Sequence, residues 1–427
     1  MYQTEELKQQ LAAGQLDGRL TEVYVDPSMI SGQRERYRRA IEEFEKLFGA
    51  GEAEIYSAPG RSEVAGNHTD HQHGEVLAAS VNLDAIAVVR KTADNRIRLL
   101  SQGYPMLTVE LADLEVKKEE EGTSWALIRG MAYGLKRNGH AIGGFEAYVT
   151  SDVLGGAGLS SSAAFEVLVG TILSGLYNGM GISPVEIAQV AQFSENVYFG
   201  KPCGLMDQMA SSVGGLIHID FKDTKHPVVE QVDVDFAAYD HSLCITDTKG
   251  SHADLTEDYV SIPQEMKQVA EQFGKQYLRE VEPAEFFDAI PKLHGVCSDR
   301  AIMRAVHFFD ENRRALLENN ALAADNLDFF FDLVRQSGDS SANLLQNLYS
   351  CRKPTEQGIP FGIMMSKRFL GKSGAVRVHG GGFAGTIQAF VPTKVTEDYV
   401  KEMEALFGAG SCYVLRIRPV GGFSFQA

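Results

Sequence analysis

The sequence predicts an α+β fold built in two halves, and three observations predict it. Strand-like runs rich in Val, Ile and Leu fill 54–61, 76–90, 97–109 and 145–151, with one helical stretch, 125–137, among them. The last of these strands runs into a glycine-rich loop followed at once by helix-forming residues, 154–168. From about 260 to 370 the chain reads mostly as helix, and short strand-like runs around a second glycine cluster then close it. Residues 1–50 stand apart as a helical N-terminal arm, which divides the chain into 1–50, 51–225 and 226–427. No repeat, low-complexity tract or long linker interrupts it.

Each element has a local reason. In the arm, Tyr37, Ile41, Phe44 and Phe48 recur at helical spacing, so 33–48 is a helix with one apolar face, preceded by a shorter one over 5–13. The strand from Glu54 is expected to stop at Pro59-Gly60, a turn pair. Val76–Arg90 and Ile97–Val109, separated by Asp94-Asn95, read as a β-meander. Ser183-Pro-Val-Glu186 is a capping box with proline at the first helical position, which starts a helix that runs to about Tyr198 and ends at Gly200. Strands follow at 215–221, 242–248, 375–379, 386–391 and 412–417, with helices at 299–317 and 321–335.

Bulk properties narrow the function. The 427 residues suffice for two domains with full cores. Acidic residues outnumber basic ones by 57 to 40, a net charge of −17, which argues against a nucleic-acid or anionic-membrane surface and for a small-molecule enzyme. Cys203, Cys244, Cys297, Cys351 and Cys412 are scattered and free of CxxC spacing, so they form neither a disulfide framework nor a zinc site and suit a reducing compartment. The opening residues lack a signal-peptide pattern, and no apolar run is long enough to span a membrane. A soluble cytoplasmic protein, monomeric or weakly dimeric, is expected.

Chemistry concentrates in three places. In the loop Leu154-Gly-Gly-Ala-Gly-Leu-Ser-Ser-Ser-Ala163, glycines let backbone N–H groups approach a ligand, and the helix that follows offers unpaired donors and the positive end of its dipole. Hydroxyls at its mouth suit Mg²⁺, a hard oxygen-seeking ion. A phosphate cradle and an ordinary serine-capped turn both fit these residues. A standard P-loop does not, because no Lys follows the last glycine, and the dinucleotide fingerprint fails because its third glycine falls on Ser161. At 371–373, Gly-Lys-Ser looks like the end of a P-loop, but Ser366 stands where the first glycine belongs.

The densest polar cluster holds Arg61, Glu63, Asn67, His68, Asp70, His71 and His73. Its histidines and aspartate resemble metal ligands, but no second cluster completes a tetrahedral set. A loop that hydrogen-bonds a polyhydroxylated ligand uses the same side chains. Further on, Glu195 lies on a helix in a partly apolar surround, and Asp207 lies in the turn Cys203-Gly-Leu-Met-Asp-Gln208. An N-cap aspartate is the ordinary reading of Asp207.

Three stretches in order resemble the GHMP small-molecule kinases, and among them the galactokinases. They are Ala58-Pro-Gly-Arg61 with Gly66-Asn-His-Thr-Asp70, then Gly156-Ala-Gly-Leu-Ser-Ser-Ser-Ala163, then Gly380-Gly-Gly-Phe-Ala-Gly385. The resemblance spans about residues 40 to 420. The resemblance implies a two-domain GHMP kinase fold, with a ribosomal-S5-domain-2-like N-terminal half and an α+β C-terminal half. It also implies an ATP- and Mg²⁺-dependent transfer to the anomeric hydroxyl of a small-molecule sugar. Gly156, Ala157, Gly158, Leu159, Ser160, Ser161 and Ser162 would wrap the triphosphate, and Ser162 with Glu195 would hold Mg²⁺. Asp207 would face the anomeric hydroxyl with Arg61 beside it. Asn67, His68, Thr69 and Asp70 would line the sugar pocket, and Tyr259 would pack or hydrogen-bond against the sugar.

The chain departs from that pattern in places. Galactokinases usually carry Glu-His-Thr-Asp-Tyr-Asn-Gly-Gly where this chain has Asn67-His-Thr-Asp-His-Gln-His-Gly74, and that glutamate accepts a bond from the sugar's 6-hydroxyl. A neutral Asn67 opens a case for galacturonate, since the related galacturonokinases also lack the glutamate. Around Tyr259 the usual arginine is absent too, Ile262 ending Glu257-Asp-Tyr-Val-Ser-Ile262. Galactose, galacturonate and a catalytically silent sugar and ATP sensor are thus the readings in play, with a metal-dependent hydrolase on the 68–73 cluster behind them.

Overall fold

The computed structural model describes residues 2–153, 158–251 and 255–426. Two sheets organise the chain, the second antiparallel and the first antiparallel except for one pair, and the first is assembled almost wholly from the first half. Its order is Tyr2–Gln3, Glu52–Ala65, Glu75–Lys91, Phe145–Ser151, Arg96–Ser101, Leu107–Glu110, with the last strand but one parallel to Phe145–Ser151. The long strand Glu75–Lys91 serves two partners. Its second part pairs with Phe145–Ser151 and its first part with Leu216–Asp220, so the sheet forks where the site is built. The second sheet runs Ala375–His379, Thr386–Pro392, His241–Asp247, Cys412–Leu415.

Period-two alternation explains why the first sheet carries layers on both faces. Ala53, Ile55, Ile86 and Val88 point to the arm and pack on Tyr37, Ile41 and Phe44 of helix Ile30–Phe48. Tyr56, Ala58, Ala85, Ala87 and Val89 point the other way, to helices Ser124–Arg137 and Ser161–Asn178. Each fully buried aromatic or aliphatic side chain of the arm contributes roughly 2 kcal/mol to holding it there. A third cluster joins the halves, with Val64, Leu77 and Val81 packed among Phe330, Val334 and Phe390. The C-terminus returns as Phe423–Ser424 to pair with Glu52–Ala65.

Two local expectations change. The strand expected to end at Pro59-Gly60 continues through Glu52–Ala65, and the pair forms a bulge at which the register slips between Pro59 and Arg61. A bulge absorbs the N–H that proline lacks, and beyond it Arg61 N bonds to Leu159 O at 3.1 Å, out of the ladder. The meander is also broken, with 102–106 between Arg96–Ser101 and Leu107–Glu110. The capping box is half formed: Ser183 Oγ accepts from Glu186 N, while the Glu186 carboxylate turns to His140. No helix among the described residues is long and apolar enough to cross a membrane.

Candidate active site

The glycine loop, the bulge and the turn at Asp207 meet at the fork in the first sheet. Gly156 and Ala157 lie outside the described residues. At Gly158, φ is +71° and a Cβ would sit 2.3 Å from Thr386 Oγ1, so both conformation and space require glycine. Leu159 is buried, and Ser160 takes the left-handed conformation at φ +56° that turns the chain into helix Ser161–Asn178. Ser161 and Ser162 occupy the opening turn of that helix, where the dipole favours an anion.

The bulge aims Arg61 into this turn. Its Nε and Nη2 donate to Asp207 Oδ1 and Oδ2 at 2.6 and 2.9 Å, and its Nη1 donates to Gly158 O at 2.5 Å. Ser160 Oγ also donates to Asp207 Oδ2. The arginine side chain is 8% exposed and the aspartate 32%, so the pair sits at the mouth with its carboxylate edge open. Burial pushes the Asp207 carboxyl up, but Arg61 and Ser160 outweigh it and hold it below the ordinary value. Asp207 lies inside the first turn of helix Met206–Val213, two residues past the N-cap position, which Leu205 occupies.

Glu195 is placed by a widened turn. Helix Pro184–Phe193 continues as a π-helical stretch, Ser194–Phe199, of the kind that swings side chains toward functional sites. Its carboxylate is 3% exposed, and Oε1 meets Ser162 Oγ at 3.3 Å and Lys201 Nζ at 3.1 Å. Oε2 accepts from Gln208 Nε2 at 2.8 Å, and the same nitrogen lies 3.4 Å from Glu166 Oε2. Glu166 Oε1 and Gln208 Oε1, both buried, have no hydrogen-bond partner among the described residues. Burial and the neighbouring Glu195 push the Glu166 carboxyl well up, and burial with the same acids keeps the Cys203 thiol protonated.

On the sugar-loop side the residues stand differently from the sequence expectation. Asn67 and Thr69 were expected to line the pocket, and both are fully buried. Asn67 Nδ2 donates to Glu63 Oε1 at 2.9 Å and Gly380 O at 2.8 Å, while its Oδ1 accepts from Asn347 Nδ2 at 2.9 Å and Ser341 Oγ at 3.3 Å. That exhausts the amide. Thr69 Oγ1 is spent within its own turn on Gly66 O and Glu75 O. His68, at φ +62°, bonds Gly381 O through Nε2 at 3.0 Å, and burial brings its pKa down to about 3, so it is neutral.

Asp70 and Tyr259 are both partly exposed. Asp70 Oδ1 accepts from His71 N, and its Oδ2 abuts Gly204 so closely that a Cβ there would fall 1.8 Å from it. The sugar loop and the Asp207 turn are therefore in direct contact. The half-buried Tyr259 donates to Gly382 O at 2.8 Å and meets Phe383 edge-on, resting on the third glycine motif. The histidine cluster disperses: His71 stacks on His68, whereas His73 stacks on Tyr277 at 3.7 Å. Among the described residues no group of three or more His, Cys, Asp or Glu side chains is placed to hold a metal ion.

Several residues in this assembly escape a sequence reading. Gln208 is visible only as the neighbour of Asp207. Arg377, two residues before His379 and the third glycine motif, forms an ion pair with Glu63. His379 accepts from Glu63 N through Nε2, which leaves its Nδ1–H for Thr386 Oγ1 at 2.9 Å. Lys201 carries no signal beyond following the helix-ending Gly200.

Comparison with known proteins bears on the family and the fold. Residues 126–215 match the family described as GHMP kinases N terminal domain, and residues 42–91 match the galactokinase galactose-binding signature. The Lactococcus lactis galactokinase complexed with galactose is 26% identical, with a TM-score of 0.77 over 90% of this chain and 98% of that one. The Methanococcus jannaschii mevalonate kinase shares the fold at 15% identity and TM-score 0.60, over 86% of this chain and 99% of that one. The Streptococcus pneumoniae phosphomevalonate kinase in complex with phosphomevalonate and AMPPNP shares it at 12% and 0.58, over 84% and 98%.

Proposed function

The chain belongs to the GHMP kinases and within them groups with the galactokinases, and we propose that it transfers the γ-phosphoryl group of ATP to the anomeric hydroxyl of galactose, giving galactose 1-phosphate and ADP. One observation carries this reading. Asp207 is a partly exposed carboxylate held ionised by Arg61 and tied through Ser160 and Gly158 to the glycine loop.

Phosphoryl transfer needs positioning and charge stabilisation more than covalent work. Asp207 orients the sugar hydroxyl and accepts its proton. Arg61 keeps further guanidinium N–H groups, beyond the three already engaged, to meet a phosphoryl oxygen. Ser161 and Ser162 present the helix N-terminus to the phosphates. Ser162 Oγ and Glu195 Oε1 are hard oxygen donors beside one another, and a Lys201 ammonium already sits on that carboxylate, so the pair fits a cation such as Mg²⁺. When bound, Mg²⁺ would neutralise charge on the β- and γ-phosphates.

In this reading 51–225 and 226–427 are the two kinase domains, 1–50 is an arm, and the protein works as a cytoplasmic monomer or weak dimer. Asp70, His68 and Tyr259 border the sugar. Galacturonate is the second reading, but Asn67, with its amide fully engaged by protein groups, no longer speaks for it. A sensor without turnover would not need an ionised, partly exposed Asp207. The test is ADP release with Mg-ATP against galactose, galacturonate, N-acetylgalactosamine, arabinose and glucose. Galactose turnover that vanishes in Asp207→Asn supports the reading, preference for galacturonate replaces the sugar, and silence on every sugar with ATP still bound makes the protein a sensor.

A further inference from the structure

We infer that Lys201 is an exchangeable cation, seated on Glu195 in the free protein and moving to the nucleotide's phosphates once a divalent cation takes that seat. The inference rests on the kinase reading and adds a phosphate-binding residue to it. The glycine loop has no lysine of its own. The carboxylates of Glu195, Asp207 and Asp70 gather at the site, and the charge of Arg61 is already balanced by Asp207. A triphosphate entering there needs another cation.

Lys201 is anchored to supply it. Its backbone N is fixed to Glu195 O at 3.1 Å, just after Gly200 turns the chain at φ +81°. The side chain is otherwise 62% exposed, so a free four-carbon stem carries the ammonium from a fixed root. Its Nζ lies 3.1 Å from Glu195 Oε1, the same oxygen that faces Ser162 Oγ. A divalent cation held by those two oxygens and the ammonium cannot share that place, because like charges at contact repel. The displaced ammonium stays within reach of the phosphates held by that same cation, and lysine is a suitable point charge for phosphate.

Two measurements on Lys201→Met and Lys201→Arg test this without turnover. Mn²⁺ binding to the nucleotide-free protein is followed by electron paramagnetic resonance, and binding of Mg-AMPPNP by calorimetry. Lys201→Met should bind Mn²⁺ several-fold more tightly, having lost the competitor, and bind Mg-AMPPNP about tenfold more weakly, as expected for one lost charge-assisted bond. Lys201→Arg should keep the nucleotide affinity. If wild type and Lys201→Met bind both ligands equally, Lys201 is an ordinary surface ion pair and the inference falls alone. If wild type binds neither ligand, the kinase reading falls and the inference with it.

Discussion

Two buried amides, Asn67 and Gln208, stand on opposite sides of the site, and each donates to a glutamate. Their surroundings differ in charge. Around Asn67, Glu63 is paired with Arg377 and Glu311 with Arg314. Glu311 Oε1 also receives Gly66 N, Asn67 N and Ser337 Oγ. Burial pushes its carboxyl up, but Arg314 above all, then His307, Arg377 and the Ser337 hydroxyl, bring its pKa to about 2. Around Gln208, Glu195 has one exposed lysine and Glu166 has no ion pair among the described residues. Gln208 Oε1 and Glu166 Oε1 are also left without hydrogen-bond partners there. Buried polar groups are seldom left so. Asn347 Oδ1 and Gln388 Oε1 on the sugar side lack partners among the described residues too. It is therefore in charge that the sugar side is a finished scaffold, while on the nucleotide side Glu195 is balanced only by an exposed lysine that a cation could replace.

The largest effect should come where the two sides meet. Asp207→Asn keeps the shape and the Ser160 contact but removes the proton acceptor and the charge facing Arg61. Turnover should fall by about a thousandfold, the middle of the range for a positioned general base. Sugar affinity by calorimetry should change little. A loss of only a few fold would mean that Asp207 orients the sugar and nothing more.

Next in size is a change that breaks the finished side. Asn67→Glu places a second buried carboxylate against Glu63, and one arginine cannot neutralise both. We expect a loss of about 3 kcal/mol in unfolding free energy, in the range for an uncompensated buried charge. The double variant Glu63→Gln/Asn67→Glu should recover most of it, because one carboxylate again faces one amide. Equal destabilisation in both variants would show that shape, and not charge, fixes the residue at 67.

These two cases mark how far the sequence could be read. The glycine loops, the strand that feeds the first of them, and the pairing of Arg61 with Asp207 followed from local spacing and from the resemblance. The orientation of Asn67 did not, since its partners Ser341, Asn347 and Gly380 lie 274, 280 and 313 residues away. A motif names the residue at a position but not which way its side chain turns. Pro59-Gly60 misled for another reason: a pair that usually ends a strand here makes the bulge that aims Arg61.

On the unfinished side the expected effect is smaller. Ser162→Ala removes the hydroxyl that faces Glu195 Oε1, the oxygen on which the Lys201 ammonium rests, and leaves Glu195 in place. The Mg²⁺ concentration for half-maximal ADP release should rise about tenfold, the worth of one hydrogen bond or ligand oxygen to a charged group, with thermal stability unchanged. An unchanged Mg²⁺ requirement would put the metal elsewhere and leave Ser162 to the phosphates.

The smallest effect over any one unit of pH belongs to an exception on the finished side. Glu318, on helix Asp299–Ala323, is fully buried, and neither carboxyl oxygen has a partner among the described residues. Burial, reinforced by Glu311, raises its pKa well above the ordinary 4.5, so the folded protein keeps this proton where the unfolded chain has released it. The native state then binds more protons than the unfolded one, and stability falls as pH rises. That contribution is complete below pH 4.5 and is lost progressively above it, with a slope of at most about 1.4 kcal/mol per pH unit for one proton. Glu318→Gln cannot titrate, so its unfolding free energy minus that of wild type should climb with pH from about 5 upward, whatever constant offset the amide brings. A difference that stays flat from pH 5 to 8 would mean that Glu318 is ionised in the folded protein, with Arg377 and Arg314 compensating it as they do Glu63 and Glu311.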